Sequence, residues 1–136
     1  MKSTFDTDAI LFSILKNSPV KNAINGNIYV GDDRPVDSQD EDIVVNTIYL
    51  TTDYYPQIGT SNVNIYVPDV ETKINGRKQL KSNRVRLKAL SEKAMDTLRN
   101  AKVAGLTMMM ESQNYLAEPA INQHFVNIRI SWNIQK

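Results

Sequence analysis

Side chains able to do chemistry fall into two charged clusters and one isolated histidine. The segment KINGRKQLKSNRVRLK, Lys73 to Lys88, holds seven of the chain's 16 basic residues and no acidic one. The segment GDDRPVDSQDED, residues 31–42, holds six carboxylates (Asp32, Asp33, Asp37, Asp40, Glu41 and Asp42) and one arginine. Positive charge at that density suits either a phosphate backbone or an acidic protein surface, since both ask for the same groups. Lys73, Arg77, Lys78 and Lys81 are the candidate contacts. No aromatic residue is interleaved with them to stack on bases, and nothing marks a recognition element for sequence reading.

The histidine is His124. A catalytic triad needs a nucleophile held against it, and GTSN at Gly59–Asn62 lacks the second glycine of a nucleophile elbow. His124 is therefore expected to be an ordinary residue at the start of a strand. Cysteine is absent, which removes disulfides, thiolate metal sites and cysteine nucleophiles together. The acidic segment lacks the D-x-[DN]-x-[DN]-G spacing of a calcium loop, and Pro35 interrupts it. GRKQLKS at Gly76–Ser82 resembles a phosphate loop in composition alone, without the Gly-Lys-Ser ending. TMMM at Thr107–Met110 reads as core or interface filler. No catalytic residue, cofactor or metal is expected, and the chain reads as a protein without enzymatic activity.

The elements that carry these clusters can be traced along the chain. Leu11, Ile14 and Leu15 recur at helical spacing, predicting a helix over 7–17 capped by Asp6 or Thr7. A turn follows, with Ser18 as cap, Pro19 at the first helical position and Gly26 as a left-handed exit. Strands are expected at 27–30, over DIVVNTIYLTTD, and at 63–67, with the acidic loop and the YPQIGTSN turn between them. Asn75-Gly76 is a turn signal, so a loop is expected in the first half of the basic segment. Leu80, Leu87, Ala94 and Leu98 form one stripe, flanked by Leu90 and Ala101, marking a second amphipathic helix. GLTMMMES suggests a strand and QNYLAEPAIN a turn. Val126, Ile128, Ile130, Trp132 and Ile134 alternate strictly along a closing strand.

The order α-β-β-β-α-β-β predicts an α+β fold: a mostly antiparallel sheet with two main helices on one face. At 136 residues, without a repeat or linker, the chain is expected to form one domain spanning 1–136. The longest early apolar run, Ala9–Phe12, is too short to span a membrane, so a soluble intracellular protein without membrane contact is expected. Charge is divided along the chain, about −7 over residues 1–72 and about +8 over 73–136.

With that order in place, the chain resembles the tail-terminator (tail-completion) family of long-tailed bacteriophages and prophages. AILFSILKNSPVKNAINGNIYVG resembles the family's opening helix, short turn and first strand; DIVVNTIYLTTD and VNIYVPD resemble its next strands. LKALSEKAMDTL is similar to its long helix and HFVNIRISWNIQ to its closing strand. The acidic loop and the long basic link at 69–81 depart from the pattern and leave room for a neighbouring head–tail connector role. The resemblance implies a structural virion protein that assembles as a ring, typically a hexamer, on the tail tube. It would end tube growth, meet the tail tube protein and a head-completion protein, and let DNA pass with non-specific contact. Its place would be the tail–head junction of the virion, and the host cytoplasm during assembly. In such a ring the basic segment would face either the lumen or a neighbouring subunit, and the acidic loop would lie at an interface. A non-viral α+β interaction module and a small nucleic-acid-binding protein are the competing readings.

Overall fold

A computed structural model describes residues 1–136. The first helix, α1, runs Thr4–Lys16. Its cap is Ser3 rather than Asp6 or Thr7, and Asp6 serves as the acid of a reciprocal capping box. The Ser3 N–H donates to Asp6 Oδ2 at 2.7 Å, and the Asp6 N–H donates to Ser3 Oγ at 3.3 Å. Those bonds, the backbone one first, hold the Asp6 carboxyl below its ordinary pKa. A short helix α2, Pro19–Ala23, follows with proline at its start. Ser18 does not cap it through its side chain; its hydroxyl donates to the Leu15 carbonyl at 2.6 Å.

The main sheet is five-stranded. Its strands are β1 (Ile28–Val30), β2 (Asp42–Leu50), β3 (Gln57–Pro68), β6 (Leu106–Glu118) and β7 (Gln123–Ile134), in spatial order β1-β2-β3-β7-β6. The β1–β2 pair is parallel and the other three are antiparallel, which makes the fold α+β. A separate two-stranded hairpin, β4 (Val70–Ile74) and β5 (Arg77–Lys81), is inserted before the long helix α3, Arg84–Asn100. Asn83 caps α3 by accepting from the Arg86 N–H at 3.2 Å.

Helix α1 lies over β1 and β2, and α3 lies over β3, β7 and β6. Between helices and sheet sits one cluster of 19 buried apolar residues, including Leu11, Leu15, Leu87, Leu90 and Leu98. Val126, Ile128, Ile130, Trp132 and Ile134 all enter it, as their alternation requires. Ile14 is half-buried at its margin. A chain of hydroxyl bonds crosses the same layer: Thr7 to Thr47 at 2.7 Å, Thr47 to Ser61 at 2.7 Å, and Trp132 Nε1–H to Ser61 Oγ at 2.7 Å. It ties α1 to three strands with every buried polar atom in it satisfied.

Several expectations need correction. Leu80 lies on β5 and not on the α3 stripe, and Ala101 is the residue that ends α3. YPQIGTSN is no simple turn, because β3 begins at Gln57 and runs for 12 residues. QNYLAE is likewise strand, since β6 continues to Glu118 past a bulge between Met110 and Ser112. In the first the buried positions are Gln57, Gly59 and Ser61, so alternation carries no apolar signal, and in the second residues 112–117 are exposed on both faces. Gly26 does not adopt a left-handed conformation. A side chain there would collide with Asp42 Oδ1 and the Glu41 carbonyl, so close approach of the chain is what demands glycine.

Candidate interaction surfaces

The acidic segment divides into an inner and an outer set. Asp42, the first residue of β2, is buried, and its Oδ2 accepts from Arg34 Nε at 2.8 Å and from Ser38 Oγ at 2.6 Å. Its Oδ1 accepts the Asn27 N–H at 2.8 Å. Arg34 also donates to Gln123 Oε1 at 2.8 Å and lies 4.2 Å above the Tyr66 ring. Gln123 Nε2 in turn donates to the Ser38 carbonyl at 2.6 Å. The loop is thereby folded back over the end of the sheet, with Arg34 as a lid on Tyr66. Burial raises the Tyr66 pKa above its ordinary value, and the charge of Arg34 opposes the rise.

Glu41 is also buried and pairs with Arg86 of α3. Arg86 Nε reaches Glu41 Oε2 at 2.5 Å and Nη2 reaches Oε1 at 2.9 Å, a two-pronged bond. Arg86 also donates to the Ala23 carbonyl, so it clamps α3 to the end of α2. The hydrogen bond to Glu41 holds the guanidinium further above its already high pKa.

The expectation of six carboxylates presented together to a partner therefore fails for Glu41 and Asp42. Both are enclosed and neutralised within their own chain. Asp32, Asp33, Asp37 and Asp40 remain exposed, and none of them makes an ion pair. No group of three or more acidic or histidine side chains converges on a point where an ion could sit.

The first half of the basic segment is not a loop. Asn75 and Gly76, with φ of 50° and 78°, make the tight turn of the β4–β5 hairpin. Consecutive positive φ values of this kind match the right-handed twist of two paired strands. The hairpin packs extensively on no other element. Lys73 stands directly opposite Lys78, and Ile74 opposite Arg77. Lys73, Arg77, Lys78 and Lys81 are all exposed, and Glu71 is the one acidic neighbour, 3.6 Å from Lys78. In the second half of the segment, Arg86 is taken by Glu41, and Lys88 by Glu92 at 2.6 Å one helical turn on.

His124 lies at the hairpin's root. Its Nδ1 is 2.7 Å from Asp69 Oδ1, and its ring stacks on Tyr115 at 5.3 Å between centroids. Arg84 lies 5.4 Å from the centre of the same tyrosine ring. The Asp69 N–H also donates to the Asn122 carbonyl at 2.9 Å. These contacts fix where β3 gives way to β4.

No helix or strand covers the sheet face away from α1 and α3, but the 31–42 loop folds over one end of it, and Asp42, Val44, Gln123 and Asn127 on that face are buried. Val44, Asn64, Asn127 and Asn114 form one row across it, and Asn46, Asn62, Arg129 and Ser112 the next. Asn127 Nδ2 donates to Asn64 Oδ1 at 2.7 Å and to Asn62 Oδ1 at 3.1 Å. Strand β6 closes one side of the sheet with its outer edge unpaired, and Met108, Met110 and Met95 line a groove between it and α3.

Sequence reasoning missed Arg34, Arg86 and Gln123 as the residues that shape these surfaces. One signal was available: a single arginine among six carboxylates is a natural centre for an ion pair. Comparison of the chain with protein-family models and with curated proteins finds no match to either.

Proposed function

We propose that this chain is a structural protein of a long-tailed phage or prophage, which caps the tail tube as a ring, ends tube growth and joins tail to head. The ring is a homo-oligomer, a hexamer if it follows the family it resembles. Its partners are the tail tube protein on one side and a head-completion protein on the other. DNA crosses the lumen with at most non-specific contact, and the protein acts at the tail–head junction after assembly in the host cytoplasm. No enzymatic step is assigned to it.

The observation that carries this reading is the amount of surface left without an internal partner. A sheet face that no helix or strand covers, a long unpaired edge and a hairpin that packs extensively on no other element suit a subunit completed by neighbours. The resemblance of the sequence to the tail-terminator family, which spans nearly the whole length, supports the same reading. A solitary 15.4 kDa module has less use for such surfaces.

Light scattering and electron microscopy on the purified protein, alone and with assembling tail tubes, test the reading. The expected result is a species of several-fold monomer mass, ring-shaped, on tube ends, with tubes held to uniform length. A protein that stays monomeric with tubes present and leaves their length uncontrolled removes the tail-capping role. Binding to the head side alone would transfer it to a neck connector.

A further inference from the structure

We infer that the β4–β5 hairpin of one subunit seats on the 31–42 loop of a second copy of this chain. Leu80 is placed against Val36, and Lys73 and Lys78 against Asp33 and Asp37. The inference deepens the ring reading and rests on its premise of self-association.

Four observations converge on it. The first is the hairpin's own composition. On one face the register places Leu80 beside Glu71, with Lys73 and Lys78 directly opposed next along. Like charges opposed across a strand pair destabilise it, and a single exposed Glu71 is a weak remedy. That face sets one acid against two lysines and carries an exposed apolar residue in its base row; Leu80 is 51 % exposed.

The second is the loop. Val36 is 88 % exposed and stands between Asp33 and Asp37, both exposed and unpaired. Each surface thus joins an exposed apolar residue to nearby charge, which is negative on the loop and mainly positive on the hairpin, where Glu71 stands beside Leu80. The third is their placement. β2 begins at Asp42, β3 ends at Pro68 and β7 begins at Gln123, so loop and hairpin leave the same end of the sheet. They make no ion pair with each other within the chain. Two different complementary patches on one subunit allow a head-to-tail contact, the kind that closes rings.

The fourth concerns the competing occupant. A nucleic acid would account for the lysines but not for the exposed Leu80 or Val36, and the hairpin carries no aromatic residue for base stacking. Arg77 and Lys81 lie on the opposite face of the hairpin from Lys73 and Lys78. A protein partner distinguishes the two faces, whereas a passing phosphate backbone draws on all four charges.

The absence of native cysteine provides a clean test. Single-cysteine variants Asp37→Cys and Lys78→Cys, mixed and oxidised, should form the mixed disulfide dimer in preference to either homodimer. Arg77→Cys should cross-link to Asp37→Cys much more slowly. In light scattering, Lys73→Glu/Lys78→Glu should weaken association at least tenfold. Adding Asp33→Lys/Asp37→Lys to the same chain should restore it, and Arg77→Glu/Lys81→Glu should have a smaller effect. If wild-type protein forms oligomers but the mixed cross-link does not appear, the inference is overturned and the ring survives. If the wild type is monomeric at every concentration and no cross-link forms, both fall. If the lysine reversals abolish retention on DNA and leave association intact, the hairpin serves DNA and the inference is wrong.

Discussion

Arg34 is the sole basic side chain between Lys21 and Lys73, and it decides what the acidic loop can offer a partner. Its side chain is 9 % exposed and that of its partner Asp42 is 1 % exposed, so the pair is screened from water. Removing one member of such a pair leaves a charge buried without compensation, which costs about 3–5 kcal/mol. Asp42 would keep the Asn27 N–H and the Ser38 hydroxyl. Arg34→Ala is therefore expected to cost about 3 kcal/mol, the lower end of that range. Asp32→Ala and Asp37→Ala, which break no ion pair, should stay within about 0.5 kcal/mol of wild type. Urea unfolding measures all three, and equal effects would contradict the division into inner and outer carboxylates. That division was not legible in the sequence. Six acidic residues read alike until a fold shows which of them an arginine encloses.

Tyr66 gives the same lid a signature in pH. Its folded pKa is raised above 10.0 by burial, with Arg34 working against the shift. A raised folded pKa means that the native state holds the phenolic proton longer than the unfolded state does. The associated stability is complete below the unfolded pKa of about 10 and is lost as pH rises through the folded value. Tyr66→Phe should accordingly flatten the fall in stability above pH 10. Thermal melts at pH 8 and pH 11 would test this, and an identical alkaline loss in wild type and variant would place the phenol in open water.

At the scale of the element, the hairpin and the closing strand behave in opposite ways. Ile130 lies at the centre of the sheet, fully buried, between β3 and β6. Ile130→Ala is expected to cost about 2–5 kcal/mol through lost burial and the cavity left behind. A melting temperature unchanged by that substitution would mean the register is wrong. The hairpin, by contrast, is held by its turn. Gly76→Val puts a β-branched residue at a φ of 78°, which disfavours the turn by more than 1 kcal/mol. Because the hairpin packs extensively on no other element, it should fray without unfolding the domain. Trypsin should then cut faster at Arg77 and Lys78, while global stability moves by less than about 0.5 kcal/mol.

The closing strand was legible because one face of it is buried, which forces strict alternation of residue types. The hairpin was not, although Asn75-Gly76 is the commonest signal for a two-residue turn. Its flanking runs bury neither face, Thr72, Ile74 and Gln79 being only half-buried, so Lys, Arg and Gln conceal the period of two. Exposure on both faces also hides the second half of β6, whereas in β3 the buried positions Gln57, Gly59 and Ser61 are themselves polar or small. Their backbone ladders are complete, but the open sheet face asks for no apolar side chain at Thr60, Asn62 or Asn114.

At the scale of the whole molecule, stability and association should be separable. The core belongs to α1, α2, α3 and the five-stranded sheet, and no residue of β4 or β5 contributes to its buried cluster. Val70 and Lys81 are paired at the hairpin's base, so the chain leaves and rejoins the body at neighbouring points. Replacing residues 70–81 by two glycines should thus be bridged without strain on Pro68 or on the Asn83 cap of α3. The shortened protein is expected to unfold cooperatively within a few degrees of wild type. It should also keep the Asp69–His124 contact that closes the sheet's upper end, and His124→Ala should lower melting modestly in both backgrounds. What it should lose is self-association, because the exposed carboxylates of the 31–42 loop would no longer have the hairpin's lysines to meet. For the intact protein the contact is between exposed charges, which salt screens over a distance of about 8 Å at physiological ionic strength. Oligomer mass should therefore fall as salt rises in the full-length chain and be insensitive to salt in the shortened one. An excised protein that still forms oligomers with the same salt dependence would assign assembly to the bare sheet face or to the β6 edge instead.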